Sequence, residues 1–250
     1  MIIFETLKFL EMKKAVTLLL LLQAFLSCKG QSPKANGTDY VQKLEFGLKG
    51  AVKEVSTYIC PVKEGEIPID TAGYIGKIVM TFDSSGNALV VNKAWDFGAA
   101  GKSSYLSRFL GTGKDISFTE TSRFNDGEAQ EISYKYLWSD DYNYTIVCPD
   151  NSVYTSLITL DKQYRLIKSV FREKDRVQSM EDVETIYKDN KIQEIKTRLT
   201  SNTDGETKVT YQVQEVQAYD QYGNPTVIYG YNDSNKQKVE QVLYKAYKYY

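Results

Sequence analysis

The sequence predicts an all-β or mostly β protein built from antiparallel hairpins. Three observations predict it. Short apolar runs alternate with polar residues at period two, the spacing at which side chains share one face of a strand. Asp, Gly and Asn clusters separate those runs, and such residues turn a chain because they tolerate positive φ or bond their own following backbone. The aromatic content, Tyr 20, Phe 10 and Trp 2, suits the faces of a pleated sheet. The links between runs look short, which favours antiparallel neighbours.

The chain opens on a different texture. "AVTLLLLLQAFLSCKGQ", Ala15 to Gln31, holds an apolar run ending at Leu26. A bilayer-spanning helix needs about 20 apolar residues, whereas the h-region of a signal peptide needs roughly 7 to 15. Met12, Lys13 and Lys14 precede the run as a short positive region, and Ser27 and Cys28 close it. The segment resembles a bacterial lipoprotein signal, in which a small residue precedes the cysteine that is lipidated; Phe25 stands where that pattern prefers Leu. An ordinary signal or a short buried helix is the plainer alternative. On the lipoprotein reading, residues 1–27 are a signal peptide with Met12 as the expected start, and Cys28 carries the lipid. Residues 28–44, polar with Gly30, Pro33 and Gly37, form a flexible tether, and 45–250 is the β domain.

Within that domain "VKEVSTYI" puts Val55, Thr57 and Ile59 on one face, and "KIVMTFD" puts Ile78, Met80 and Phe82 on one face. "KSSYLSRFL", Lys102 to Leu110, suggests a short helix with Tyr105, Leu106 and Phe109 on one side. "DRVQSMEDVETIY" fits either period: Val177, Met180 and Val183 are helically spaced, while Val183, Thr185 and Tyr187 alternate. "KVTYQVQEVQAYD" carries Val209, Tyr211 and Val213, then Val216 and Ala218, which suggests a bulge near Gln214 or Glu215. The closing "LYKAYKYY" reads as an ordinary last strand; Lys248 shares a face with Ala246 and Tyr250, which spoils a lipid-facing row.

Five turn sites share a degenerate pattern: an aromatic or Leu, then Asp or Asn, then Gly or Asn, then an alternating strand. They begin at Phe82, Phe124, Leu160, Tyr187 and Tyr219. The best copies are "FDSSGNALVV", with Asp83, Gly86 and Asn87, and "YDQYGNPTVI", with Asp220, Gly223 and Asn224. These two stretches resemble the Tyr-Asp repeats of the RHS family. The opening "LKGAVKEVSTY" and the closing segment also resemble small RHS-like lipoproteins of Bacteroidetes-type bacteria. The three middle copies lack Gly-Asn, and ordinary hairpin chemistry gives similar turns. The resemblance implies a curved antiparallel meander of hairpins, an open sheet or half-barrel with aromatics on its concave face.

Composition narrows function. Lys+Arg number 31 against 32 Asp+Glu, with no basic excess of the kind that marks nucleic-acid binding. The chain has no histidine, which removes Ser-His-Asp and Cys-His nucleophilic schemes and His-ligated zinc; no metal or other cofactor is expected. "DFGAAGKSS" ends like a phosphate-binding loop at Gly101, Lys102 and Ser103, but Asp96 stands where the first glycine belongs, so no nucleotide is expected. The acidic pairs Asp140/Asp141, Asp126/Glu128 and Asp204/Glu206 read as turns and solvated strand faces. Cys60 and Cys148 form a disulfide or remain two buried thiols.

Tyr136, Trp138, Tyr142 and Tyr144 in "YKYLWSDDYNY" are the one functional lead, an aromatic surface for sugar stacking or peptide contact; cross-strand packing is the plainer account. The expected function is a lipid-anchored, non-enzymatic envelope module that binds a glycan, a peptide or an envelope protein. The alternative is a His-independent hydrolase that uses Asp or Glu on polysaccharide. Lys29 and Gly30 follow Cys28 with no acidic residue before Asp39, so knowledge of lipoprotein sorting implies the outer membrane and its periplasmic face.

Overall fold

The computed structural model describes residues 40–151, 153–203 and 205–250. Fourteen strands follow one another: β1 (Val52–Pro61), β2 (Gly76–Phe82), β3 (Ala88–Asp96), β4 (Lys102–Thr112), β5 (Asp115–Phe124), β6 (Gln130–Trp138), β7 (Asn143–Val147), β8 (Tyr154–Leu160), β9 (Leu166–Glu173), β10 (Arg176–Lys188), β11 (Lys191–Thr203), β12 (Glu206–Tyr219), β13 (Pro225–Tyr231) and β14 (Gln241–Tyr249). Each pairs antiparallel with the next, as the short links require. The β class and the meander of hairpins are therefore as expected; the open sheet or half-barrel is not. β14 returns to β1, with Val55 opposite Tyr247 and Ile59 opposite Leu243, and the sheet closes into a barrel. Closure pairs the backbone groups that an open sheet would leave exposed on its two edge strands.

Three local expectations change. Lys102 to Leu110 is strand β4, not a helix. Its inward row is Ser103, Tyr105, Ser107 and Phe109, where two serines dilute the alternation that hydrophobicity alone reveals. The ambiguous 175–187 stretch is strand β10. In β12 the register shifts lie between Val216 and Tyr219, not near Gln214. Val213 and Val216 occupy opposite faces in regular alternation, and Val213 is buried on the outer face of the sheet, beside Tyr231.

The inward residues form two apolar clusters. One is largely aliphatic and joins Val52, Val55 and Ile59 of β1, Phe82 of β2, Ile195 of β11, Val216 of β12, Ile228 of β13 and Leu243 of β14. The other gathers Ile116, Tyr136, Tyr144, Ile158, Leu160 and Leu166 with Tyr40 and Tyr164. Phe109 of β4 and Val183 of β10 pack against both clusters and link them.

One end of the barrel is capped by the segment that leads into β1. Tyr40, Gln42, Glu45 and Leu48 are buried, and residues 42–44 form a single 3-10 turn. Residues 40–44, assigned above to the tether, thus belong to the folded domain. The rest of the tether, the signal segment and Cys28 lie outside the described residues. The cap docks on the Asp83 and Asp220 turns. The Lys43 amide donates to Gly86 O at 3.0 Å, and Gln42 Oε1 accepts from the Ala88 amide at 3.0 Å. Asn224 Oδ1 accepts from the Lys49 amide at 2.8 Å while its Nδ2 donates to Lys49 O at 3.0 Å.

Both turns are built alike, a type I turn closed by a glycine at positive φ. Asp83 Oδ1 accepts from the amides of Ser85, Gly86 and Asn87, and Asp220 Oδ1 from those of Tyr222 and Asn224. Gly86 and Gly223 have φ of 98° and 82°, a region closed to most side chains. Partial burial raises the Asp83 carboxyl, but the bonds from Asn87, Gly86 and Ser85 outweigh it and hold it below its usual range. The turn at Asp161 repeats the geometry without glycine, with Tyr164 at φ 60°. A related Asp140 turn, which the sequence pattern passed over, captures Asn143 in the same way. The phosphate-loop look-alike at 96–103 is a hairpin in which Lys102 pairs with Asp96 at 2.9 Å.

Candidate functional site

A strand whose alternate residues face inward places every second side chain inside the barrel, whatever its chemistry. In β3 the inward row is Val91, Lys93 and Trp95. In β14 it is Leu243, Lys245 and Tyr247. The register puts Lys245 opposite Thr57, Thr57 opposite Ile78, and Ile78 opposite Lys93. Two lysines therefore stand in one rung of the inner wall, with β1 and β2 between them. The rung continues through Tyr105 of β4 and Ser122 of β5. Lys93, Tyr105, Ser122 and Lys245 keep some accessible surface although they face inward, while Thr57 and Ile78 are buried.

The two lysines differ in their surroundings. Burial lowers the pKa of Lys93, and Glu120 on β5 works against that shift. Glu120 itself accepts from Ser107 Oγ at 2.9 Å. Lys245 makes no hydrogen bond or ion pair among the described residues; burial alone pushes its pKa down to about 7. Thr57 stands opposite it on β1, and Leu243 and Tyr247 flank it along β14.

Across the barrel, β10 carries Glu181, only 2% exposed. Ser169 Oγ donates to its Oε2 at 3.2 Å, while Oε1 has no hydrogen-bond partner. Burial pushes this carboxyl up to about 7. Ser169, Ser179 and Thr197 stand around it, all buried. On the lysine side, the indole Nε1 of Trp95 is also buried without a partner. The Trp95 ring lies over Gly76, where a Cβ would meet Cζ3 at 2.4 Å.

The second polar centre is at the capped end. Glu45 enters the tyrosine cluster and accepts from Tyr40 and from Tyr144, whose hydroxyl lies 2.8 Å from Oε2 and 3.0 Å from Oε1. Burial raises its pKa to about 7, and the two tyrosine bonds hold that rise in check.

This cluster decides the fate of the aromatic lead. Tyr136 and Tyr144 are buried and stack with centroids 4.6 Å apart. Trp138 packs on Tyr144 at 4.7 Å and on Tyr40 at 4.7 Å, and Tyr142 packs on Tyr164 at 5.7 Å. Tyr136, Trp138 and Tyr144 lie in the inward phase of β6 and β7 and wrap the cap. They build the core and do not offer an open binding face. Cys60 and Cys148 are free, buried thiols. Cys60 faces outward from β1 beneath the 62–75 loop, with its thiol toward Asp70 O at 3.8 Å. Cys148 follows β7 near Tyr134. Five strands, β2 to β6, lie between them around the ring, and no disulfide joins them.

The sequence reading missed Glu45, Lys93, Glu120, Glu181 and Lys245. The signal was present: in "ALVVNKAW" Lys93 shares the phase of Val91 and Trp95, and in "VLYKAY" Lys245 shares the phase of Leu243. The outer wall carries charge across its strands. Asp182 lies 3.7 Å from Lys168 and 3.6 Å from Arg198, and Glu54 pairs with Lys248 at 2.8 Å. A barrel that crosses a bilayer presents an apolar band instead. No group of three or more His, Cys, Asp or Glu that could hold a metal ion occurs among the described residues. No family model, curated protein or solved structure matches the chain.

Proposed function

We propose that the protein is a lipid-anchored, non-enzymatic binding module of the bacterial cell envelope, and that it binds with the inside of its barrel. The observation that carries the second part is the inward polar layer of Lys93, Glu120, Glu181 and Lys245. A core that served stability alone would not retain Glu181 and Lys245, because an ionisable group costs several kcal/mol to desolvate unless it is paired. Fourteen strands also exceed the eight at which side chains fill a barrel. The charged outer wall suits a domain that stands in water on a tether. The signal-like N-terminus with Cys28 supports the anchor, and "KGQSPKANG" supports outer-membrane placement on the periplasmic face. The RHS-like character rests on the Asp83 and Asp220 turns, which share one hydrogen-bond pattern.

The hydrolase reading has one observation in its favour: two glutamates, Glu120 and Glu181, face inward in different environments, as acid–base pairs do. The test has two arms. Globomycin treatment or Cys28→Ala should abolish acylation and normal processing, and protease added to intact cells should leave the protein whole. Purified full-length protein incubated with envelope polysaccharide should release no product; turnover lost in Glu181→Gln would favour the hydrolase.

A further inference from the structure

We infer that the barrel interior is a site for an organic anion whose acidic group is held by Lys245 amid apolar surroundings. The inference deepens the binding-module reading and rests on its claim that the interior is the binding surface.

The charges inside do not balance. Lys93 has Glu120 as a counter-charge. Glu181, the other inward carboxyl of the polar layer, stands on β10, seven strands from β3 in either direction around the ring. Nothing in the described protein neutralises Lys245. An ammonium without a partner inside a protein is costly, and a bound anion removes that cost. Trp95 Nε1 supplies an unused donor near the same rung. It is buried and unpaired, one inward position beyond Lys93 on β3. The surroundings select the rest of the ligand. Leu243 and Tyr247 flank Lys245 along β14, Thr57 stands opposite it on β1 between Val55 and Ile59, and Ile78 lies one strand further on β2. A strongly hydrated anion such as inorganic phosphate is disfavoured among those apolar side chains. A carboxylate, sulfonate or phosphate ester on an apolar body satisfies both. The cap segment closes one end of the barrel, and the 62–75 and 232–240 loops lie at the other.

The probe is 11-(dansylamino)undecanoic acid, titrated by fluorescence into the detergent-solubilised full-length protein at pH 6, with its methyl ester and inorganic phosphate as comparisons. The acid should bind at one site per chain; the ester and phosphate should bind at least about ten-fold more weakly. Lys245→Met should weaken the acid about ten-fold or more, the scale of one lost charge-assisted contact, and Lys245→Arg should retain it. Lys248→Met, on the same strand but facing outward, should bind as the wild type does. Lys245→Met removes an uncompensated buried charge, so a thermal midpoint at or above the wild-type value will show that it folds. Equal binding of acid and ester, an unchanged affinity in Lys245→Met, or no binding of the acid overturns the anion site. Failure of the wider reading would look different: loss of acylation-dependent processing is decided at Cys28 and is independent of this titration.

Discussion

The two apolar clusters of this barrel solve the same packing problem with different side chains, and the difference sets how each responds to its environment. The aliphatic cluster is sealed by Val55, Ile59, Ile228 and Leu243, none more than 3% exposed, and its stability comes from apolar area removed from water. The tyrosine cluster is organised around a carboxyl group. Tyr40 and Tyr144 bury most of their rings but turn their hydroxyls to Glu45, which anchors the cap. The aliphatic side chains themselves carry no titrating group. The second cluster holds a group whose native pKa, about 7, lies well above the ordinary carboxylate value of 4.5. Apolar packing gives the barrel stability, while the buried polar centres make that stability conditional.

Breaking the aliphatic cluster should have the largest effect. Ile192→Ala removes a fully buried side chain of the same cluster, on β11 away from the inward lysines, and should cost about 2–5 kcal/mol. The loss, measured by denaturant unfolding, should be the same at pH 5 and pH 8.

The tyrosine cluster should show the opposite signature. A carboxyl with a raised native pKa stabilises the fold below its unfolded value and loses that contribution as pH rises through the native one. Between pH 4.5 and 7 the native state holds more protons, so unfolding free energy falls with pH, by on the order of 3 kcal/mol for Glu45. Glu45→Gln should match the wild type within about 1 kcal/mol at pH 5 and exceed it by about 2 kcal/mol at pH 8. Parallel stability–pH curves for the two proteins would remove the distinction between the clusters. Glu181 contributes a slope of the same sign, and Glu181→Gln would isolate it.

Smaller effects sharpen how the cap is held. Asn224 is fully buried and bonds the Lys49 backbone twice; Asn224→Ala leaves both groups unpaired and should cost about 2 kcal/mol. Gly86→Ala places a side chain at φ 98° and against Lys43, for about 1–2 kcal/mol. Both variants should raise protease cleavage within 40–50 before the strands are cut.

How much of this was legible in the sequence follows from how local each feature is. Val55, Thr57 and Ile59, and then Ile78, Met80 and Phe82, announced two strands by period alone, and all six are buried. The Asp83 and Asp220 turns were legible because their hydrogen bonds run between residues two to four apart. Closure was not, because the pairing of β1 with β14 joins residues almost 200 positions apart and no turn records it. β4 was misread because Tyr105, Leu106 and Phe109 suit a helix, and only the partner strands separate Leu106 from the inward row. The aromatic run at 136–144 gave the right residues and the wrong exposure, since nothing near it in sequence reveals that Tyr40 and Glu45 cover it. The inward lysines were missed because charge is ordinarily assigned to the solvent face.

Lys245 is where the claim of a functional interior is most exposed. Reductive 13C-methylation of the full-length protein, with Lys245→Met to identify the resonance, gives the titration of that one ammonium by NMR. In the ligand-free protein it should titrate near pH 7, against the ordinary lysine value of 10.5, and it should move upward when an amphipathic anion binds. A Lys245 resonance that titrates with the surface lysines, and does not shift with ligand, would contradict the account.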